Sequence, residues 1–188
     1  MKIYLLDINK DMTIAWQEYF KDFDNVEIIN DSFSNFMNLH IEIDGIVSPA
    51  NSFGLMDGGY DKAIIDYLGQ QAQTNVFTLL SIVYNGYQPV GTSLCVPFGK
   101  YIILHTPTMR TPEKIIDDRI IYDCMYSCIL EAKKKNLSNI VIPAFGGCTG
   151  DVPYRKIAKL MYLAYKDVNF KGEKCNWRYA RHIKQELV

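Results

Sequence analysis

Asn51 and Asp61 stand ten residues apart in the stretch 44–61, DGIVSPANSFGLMDGGYD, with Gly58 and Gly59 just ahead of the carboxylate. The apolar residues 45–47 read as a strand, Pro49 and Gly54 break it, and a helix is expected from about Tyr60. Glycines just before a helix N-terminus let backbone N–H groups approach an anion closely, and the helix dipole favours negative charge there. An amide at the strand end and a carboxylate on the first turn add two polar groups to the same rim. Such a constellation suits a phosphorylated ribose. A second glycine loop lies in residues 142–158, IPAFGGCTGDVPYRKIA, where Gly146, Gly147 and Gly150 fall within five residues. Its backbone amides either wrap a phosphate or only shape a strand-to-helix turn, and the residues alone leave both open. No Gly-Lys-Ser/Thr follows, so it is not a P-loop, and its spacing is not that of a dinucleotide fingerprint.

Strand-like and helical patterns alternate along the chain that positions these loops. Lys2–Asp7, residues 26–29, 45–47, 93–96, 101–106 and 140–143 read as strands. Residues 11–23 are amphipathic, with Trp16, Tyr19 and Phe20 on one side, and 32–39 form a short helix capped by Asp31 or Ser32. Helical patterns also cover 60 to about 80, 114–135 and 154–165. This alternation predicts a mainly parallel or mixed sheet with helices on both faces and ligands beyond the carboxyl ends of the strands. One domain over residues 1–170 is expected. The tail 171–188, KGEKCNWRYARHIKQELV, differs in character and reads as a terminal helix docked on the core.

Bulk properties narrow the function. The 188 residues are 48% hydrophobic and 22% charged, ordinary for a globular domain. A formal net charge of −1 makes nucleic acid an unlikely general partner, and no apolar run is long enough to span a bilayer. The N-terminus runs straight into a strand with a charge inside it, unlike a signal peptide. Five cysteines at scattered spacing argue against a disulfide framework and for a reducing compartment, so a cytoplasmic location is expected. Cys124 and Cys128 are four apart in a helical pattern, but no second Cys or His pair completes a metal site, and core packing is the expected role. No metal or cofactor is called for. Oligomeric state is not legible.

Taken together, the two loops resemble those of the macro domain, the ADP-ribose-binding α/β module. IVSPANSFGLMDGGYD is similar to the family signature, in which an Asn closes the strand and an Asp follows ten residues later, a spacing kept by Asn51 and Asp61. The resemblance runs over about residues 26–165 and implies a three-layer α/β/α fold with a mixed central sheet. It implies that Asn51 contacts the distal ribose, that Asp61 in hydrolytic members activates or positions water, and that Ala50, Gly58 and Gly59 line the ribose and diphosphate. VEIINDSF resembles the segment whose Asp bonds the adenine amino group, which maps onto Asp31 with Ser32 beside it. VIPAFGGCTGDVP resembles the diphosphate loop and brings in Phe145, Gly146, Gly147, Cys148, Thr149 and Gly150. YIILHTP is similar to the family strand with a His-Thr pair near its end, and PVGTSLCVPFG and HTPTMRTP are similar to a bacterial and phage-like subgroup carrying ANSFGxMDGG.

The chain also departs from the family pattern. Ser48 stands where an Asn is usual and Asp57 where a glycine is usual, which puts a second carboxylate beside the diphosphate site. Asp57 either repels the ligand's charge or serves as a second acid/base candidate. Cys148 and Thr149 replace a small residue followed by an aromatic, and a helix is inserted between the first two strands. Bland roles compete at each position. Asn51 can satisfy turn backbone, and Asp61 can simply complement the helix dipole. His105, in an apolar strand, is expected to be a satisfied core histidine, and nothing supplies a base for Cys148 as a nucleophile. Phe53, Phe145 and Tyr154 can stack on the ligand or fill core.

Three functions fit. The first is hydrolysis of an ADP-ribosyl or O-acetyl ester at the distal ribose. The second is a non-catalytic module that binds ADP-ribose or another NAD-derived signal. The third is a phosphatase acting on ADP-ribose 1″-phosphate.

Overall fold

The computed structural model describes residues 1–187. The strands are β1 (Lys2–Asp7), β2 (Val26–Asn30), β3 (Gly45–Ser48), β4 (Leu94–Phe98), β5 (Tyr101–His105) and β6 (Asn139–Pro143). Between and after them run α1 (Lys10–Phe20), α2 (Phe33–Leu39), α3 (Gly59–Leu68), α4 (Gln71–Tyr84), α5 (Arg119–Lys134), α6 (Tyr154–Asn169) and α7 (Trp177–Glu186). The six strands form one sheet in the order β2-β1-β6-β3-β5-β4, all parallel except β4, which pairs antiparallel with β5 at one edge.

Successive side chains on a strand point to opposite faces, and this divides the core in two. Ile3 and Leu5 of β1 join Val47, Leu104, Ile140 and Ile142 under α1, α5 and α6. Tyr4 and Leu6 join Ile46, Val96, Ile103 and Val141 under α2, α3 and α4. The result is three layers, α/β/α, around a mixed sheet. Cys124 and Cys128 sit fully buried inside the first cluster. At the C-terminal end, Tyr179 of α7 stacks on Phe170 at 5.3 Å, and Ile183 and Leu187 pack onto the same cluster.

The structure decides one cap between its two candidates, and two boundaries differ from the sequence reading. Ser32, not Asp31, caps α2: its side chain accepts from Asn35 N, while Asp31 Oδ1 accepts from Ser32 N at 2.6 Å and Asn35 Nδ2 at 3.2 Å. The helical pattern over 60–80 is two helices, because Gly69 at φ 90° ends α3 and the chain restarts as α4. The pattern expected from 114 becomes helix only at Arg119, since Ile115 N is spent on Gly150 O and Asp117 Oδ1 accepts from Arg119 N.

Candidate functional site

Parallel strands place their carboxyl ends, and the loops that follow them, on one edge of the sheet. Strands β3 and β6 pair only at Gly45–Ile140 and Ile46–Val141. Beyond that point β3 stays with β5 through Ser48–His105, and β6 stays with β1 through Leu6–Pro143. The two central strands therefore part towards the edge, which is where an open parallel sheet forms its ligand crevice, here between the two glycine loops that continue them.

The first loop is built around Asn51. Its Oδ1 accepts from Phe53 N at 3.1 Å and Leu55 N at 3.3 Å, and its Nδ2 donates to Leu55 O at 2.7 Å. Asn51 is thus the framework of the 51–55 turn, and all three bonds stay within that turn. Ala50 is buried beside it, and Gly58 and Gly59 are exposed, with no atom within 4 Å of where a Cβ would sit on either. Open space before the N-terminus of α3 is what an approaching anion needs.

Asp61 lies on the first turn of α3 and is 8% exposed. Ser48, fully buried at the end of β3, donates its hydroxyl to Asp61 Oδ1 at 2.6 Å. Burial pushes the Asp61 carboxyl up to about 7, against the lowering effect of the Ser48 hydrogen bond and with a further rise from the charge of exposed Asp57. A helix N-terminus favours a carboxylate by only about 0.3–1 kcal/mol, so desolvation wins. Asp61 is accordingly poised to exchange a proton near neutral pH.

Two neighbours that the sequence did not single out share this corner. The Tyr60 hydroxyl is buried without a partner, and burial together with the charges of Asp7 and Asp61 holds it firmly protonated. Asp7, at the end of β1, is itself pushed up by burial while accepting from Asn9 N at 2.8 Å. The signal in the sequence was only position: Asp7 ends a strand on the loop-bearing edge, and Tyr60 precedes Asp61.

The second loop is tight. Gly146 has φ 79°, and a Cβ on Gly150 would lie 2.7 Å from Gly146 O, so both positions demand glycine. Gly147 is half-buried, Cys148 and Thr149 are exposed, and the Phe145 ring is wholly inside the core. Any ligand contact at Phe145 is therefore through backbone. Tyr154 packs partly against the core and accepts from Asn9 Nδ2 at 2.8 Å.

Residues 106–118 were missed as a structural part of the site. Thr108 N bonds Ala50 O at 3.0 Å, Ser52 N bonds Met109 O at 3.1 Å, and Ile115 N bonds Gly150 O at 3.0 Å. Lys114 Nζ meets Asp151 Oδ2 at 2.6 Å. The segment thus straps one glycine loop to the other. His105, at its start, is fully buried with Nδ1 against Gln88 Oε1 at 2.7 Å and Nε2 unpartnered, and burial pushes its pKa down to about 3. It is a neutral core histidine, partnered at Nδ1 alone and so not the fully satisfied one that the sequence predicts. Asp31 and Ser32 are half-buried after β2, on the same edge of the sheet. Among the described residues no group of three His, Cys, Asp or Glu could hold a metal ion, and no helix is long and apolar enough to cross a membrane.

Known proteins share this fold. The sequence pattern of the macro domain matches residues 47–161. An uncharacterised protein of Aquifex aeolicus (strain VF5) is 28% identical over 124 residues, 64% of this chain and 72% of that protein. The Oceanobacillus iheyensis macrodomain solved with ADP superposes with a TM-score of 0.58 at 19% identity, covering 77% of this chain and 84% of its own. The same macrodomain with MES bound gives 0.60 at 18% identity over 78% and 84%. The macrodomain of Mycobacterium tuberculosis DarG gives 0.57 at 15% identity, over 68% of this chain and 84% of that one. The superpositions carry the fold and the sequence pattern spans both loops and the strap between them: this chain belongs to the macro domain family.

Proposed function

We propose that the crevice binds ADP-ribose or a related NAD-derived nucleotide and hydrolyses a bond at its distal ribose, of the ADP-ribosyl ester or O-acetyl ester kind. The observation that carries this reading is Asp61, a buried carboxyl on the first turn of α3 that is held near 7 by burial and gripped by Ser48. A group that titrates near neutrality can take a proton from water and return it to a leaving group. Backbone amides at Gly58–Gly59 and in the 146–150 loop would hold the diphosphate, with Asp31 at the adenine and Asn51 keeping its turn shaped against the ribose. The Oceanobacillus macrodomain, solved with ADP and as a variant with ADPR, supports the choice of ligand. Orientation and fixed amide dipoles would supply most of the acceleration, with one carboxylate adding about 100- to 10,000-fold.

The test begins with calorimetry using ADP-ribose beside ADP and AMP. Affinity that needs the distal ribose supports the pocket, and failure to bind ADP-ribose removes the reading. Product release from ADP-ribosylated peptide and from O-acetyl-ADP-ribose then tests the chemistry. Asp61→Ala should abolish most turnover while leaving affinity within a few-fold, and unchanged turnover would discard the role given to Asp61. A second reading, a binding module without chemistry, is favoured by the use of Asn51 in its own turn, where Oδ1 accepts two bonds and Nδ2 donates one. Tight binding with no turnover of either substrate would select it, and phosphate release from ADP-ribose 1″-phosphate alone would select a phosphatase.

A further inference from the structure

Gln88 holds His105 in one tautomer. Gln88 Nε2 lies 3.1 Å from the backbone oxygens of Thr92 and His105 and from Thr92 Oγ1. Two of these atoms are carbonyl oxygens, which only accept, so the amide nitrogen stands there and Oε1 turns to the ring. Oε1 also only accepts, and at 2.7 Å from Nδ1 it requires a hydrogen on that nitrogen. Burial pushes the His105 pKa down to about 3, so near neutral pH the ring carries no second proton. Nε2 is left with a lone pair, buried and without a protein partner among the described residues. An unmade hydrogen bond at a buried acceptor is costly and calls for a donor. Strand pairing supplies one. Ser48 and His105 are partners in the β3–β5 register. Ile46 and Ile103, two residues earlier on the same strands, both point into the cluster under α2, α3 and α4. Ser48 and His105 therefore rise side by side from that face. The Ser48 hydroxyl has two acceptors in its surroundings, Asp61 Oδ1, which it serves at 2.6 Å, and Nε2. One hydrogen cannot serve both.

We propose that His105 is a positioning residue for Asp61: its Nε2 accepts the Ser48 hydroxyl while Asp61 holds a proton and releases it when Asp61 ionises. In the ionised form the carboxylate takes the Ser48 hydrogen. In the protonated form the Asp61 O–H donates to Ser48 Oγ, and the freed hydroxyl turns across the sheet to Nε2. The proton lost on ionisation goes to solvent, and His105 never gains it. The bond to the charged carboxylate is the stronger one, so Ser48 on balance still lowers the Asp61 pKa. His105 offsets part of that by stabilising the protonated form. The exchange needs one atom that both donates and accepts, which a hydroxyl has and an amide lacks. This gives a role to Ser48, which stands where the family usually has Asn. The other ionisable groups at this corner are Asp57, Tyr60 and Asp7. Helix α4 and strand β4, on the His105 side, carry no Asp, Glu, Lys, Arg or His. The inference deepens the role given to Asp61 and rests on its taking a proton near neutral pH, not on which ligand the crevice holds.

Isotope-labelled full chain tests this without ligand. Proton–nitrogen correlations of the histidine rings and the Asp61 carboxyl carbon resonance are followed by NMR from about pH 5 to 9. His105 is identified among the three histidines by its absence from His105→Asn. The expected spectrum has a hydrogen on Nδ1 at every pH and an Nε2 resonance that moves in step with Asp61 as it titrates near 7. In Asp61→Asn, which cannot ionise, Nε2 should stay still. His105→Asn keeps a donor for Gln88 but lacks the Nε2 acceptor, so Asp61 should titrate about 0.5–1 lower on the pH scale. Four results would each overturn the proposal: a hydrogen on Nε2, an Nε2 resonance fixed across the range as a permanently bound water would give, movement that persists in Asp61→Asn, or unchanged Asp61 titration in His105→Asn. Should His105→Asn fail to fold, the wild-type and Asp61→Asn spectra decide, with His105 identified from its fixed Nδ1 hydrogen. The Asp61 resonance separates two failures. If it titrates near 7 while Nε2 stays fixed, only this inference falls. If it does not titrate, the proton-exchanging role given to Asp61 falls as well.

Discussion

Replacing Asp61 with Asn should stabilise the protein, and more so as pH rises. The wild-type carboxyl goes from 3.8 when exposed to about 7 in the fold, a difference worth about 4 kcal/mol when the group is fully ionised. The sign follows from proton binding. Between these two values the folded state holds the proton more tightly than the unfolded chain, so stability falls as pH climbs from 4 through 7 and then levels. Asn resembles the protonated acid in shape, still accepts the Ser48 hydroxyl at its amide oxygen, and has nothing to ionise. The advantage of the variant over wild type should therefore be small near pH 4 and grow by roughly 2–3 kcal/mol between pH 5 and pH 8. Each kcal/mol is worth about 2–4 °C for a domain of this size, so the melting temperatures should separate by roughly another 4–12 °C over that interval. Urea titrations of both proteins at pH 5, 6, 7 and 8 measure it, and groups common to both cancel in the difference. An advantage that stays constant with pH, or shrinks as pH rises, would mean that Asp61 is ionised throughout and would refute the desolvation argument.

Other expected outcomes address the rest of the site. Ser48→Ala removes the hydroxyl that lowers the Asp61 pKa, so the pH at which the wild-type stability levels off should move upward in the same urea series. Asn51→Ala leaves Phe53 N, Leu55 N and Leu55 O without partners, at a cost of roughly 1–3 kcal/mol, and calorimetry should show a matching loss of ADP-ribose affinity. Gly150→Ala forces a methyl to within 2.7 Å of Gly146 O; thermal melts should show a loss of about 1–3 kcal/mol. Ending the chain at Asn169 removes α7 from its seat on the core. The melting temperature should drop while affinity for ADP-ribose holds, because Ile183 and Leu187 pack on the cluster beneath α5 and α6 rather than on the glycine loops.

Local grammar made much of this architecture legible. Alternating apolar runs gave the strands, and glycine-bearing loops after two of them gave the edge on which a ligand site would form. Asn51 was readable both as a turn former and as a ligand residue, and its three bonds realise the turn. What the sequence hid was contact between distant segments. The Ser48 hydroxyl and Asp61 are 13 residues apart, and their hydrogen bond exists only because β3 ends where α3 begins its first turn. Ser48 was visible as a departure from the family pattern, but its partner was not. Residues 114–118 carry a helical pattern, yet Ile115 spends its amide on Gly150, a competitor 35 residues away that no local window includes. The division at Gly69 was in plain view as a glycine and was overridden by the apolar periodicity on either side.

The strap from β5 to α5 has a consequence for how the surface resists attack. Arg110 and Lys114 are exposed and would ordinarily invite trypsin, and the segment has no regular helix or strand to protect it. Its amides at Thr108 and Ile115 are nevertheless bonded to Ala50 and Gly150, and Met109 O receives Ser52 N. A protease must draw an extended stretch of chain into its cleft, which here requires both glycine loops to let go together. Cleavage at these two sites should therefore report the opening of the crevice itself, and any compound that bridges the loops should slow the nick.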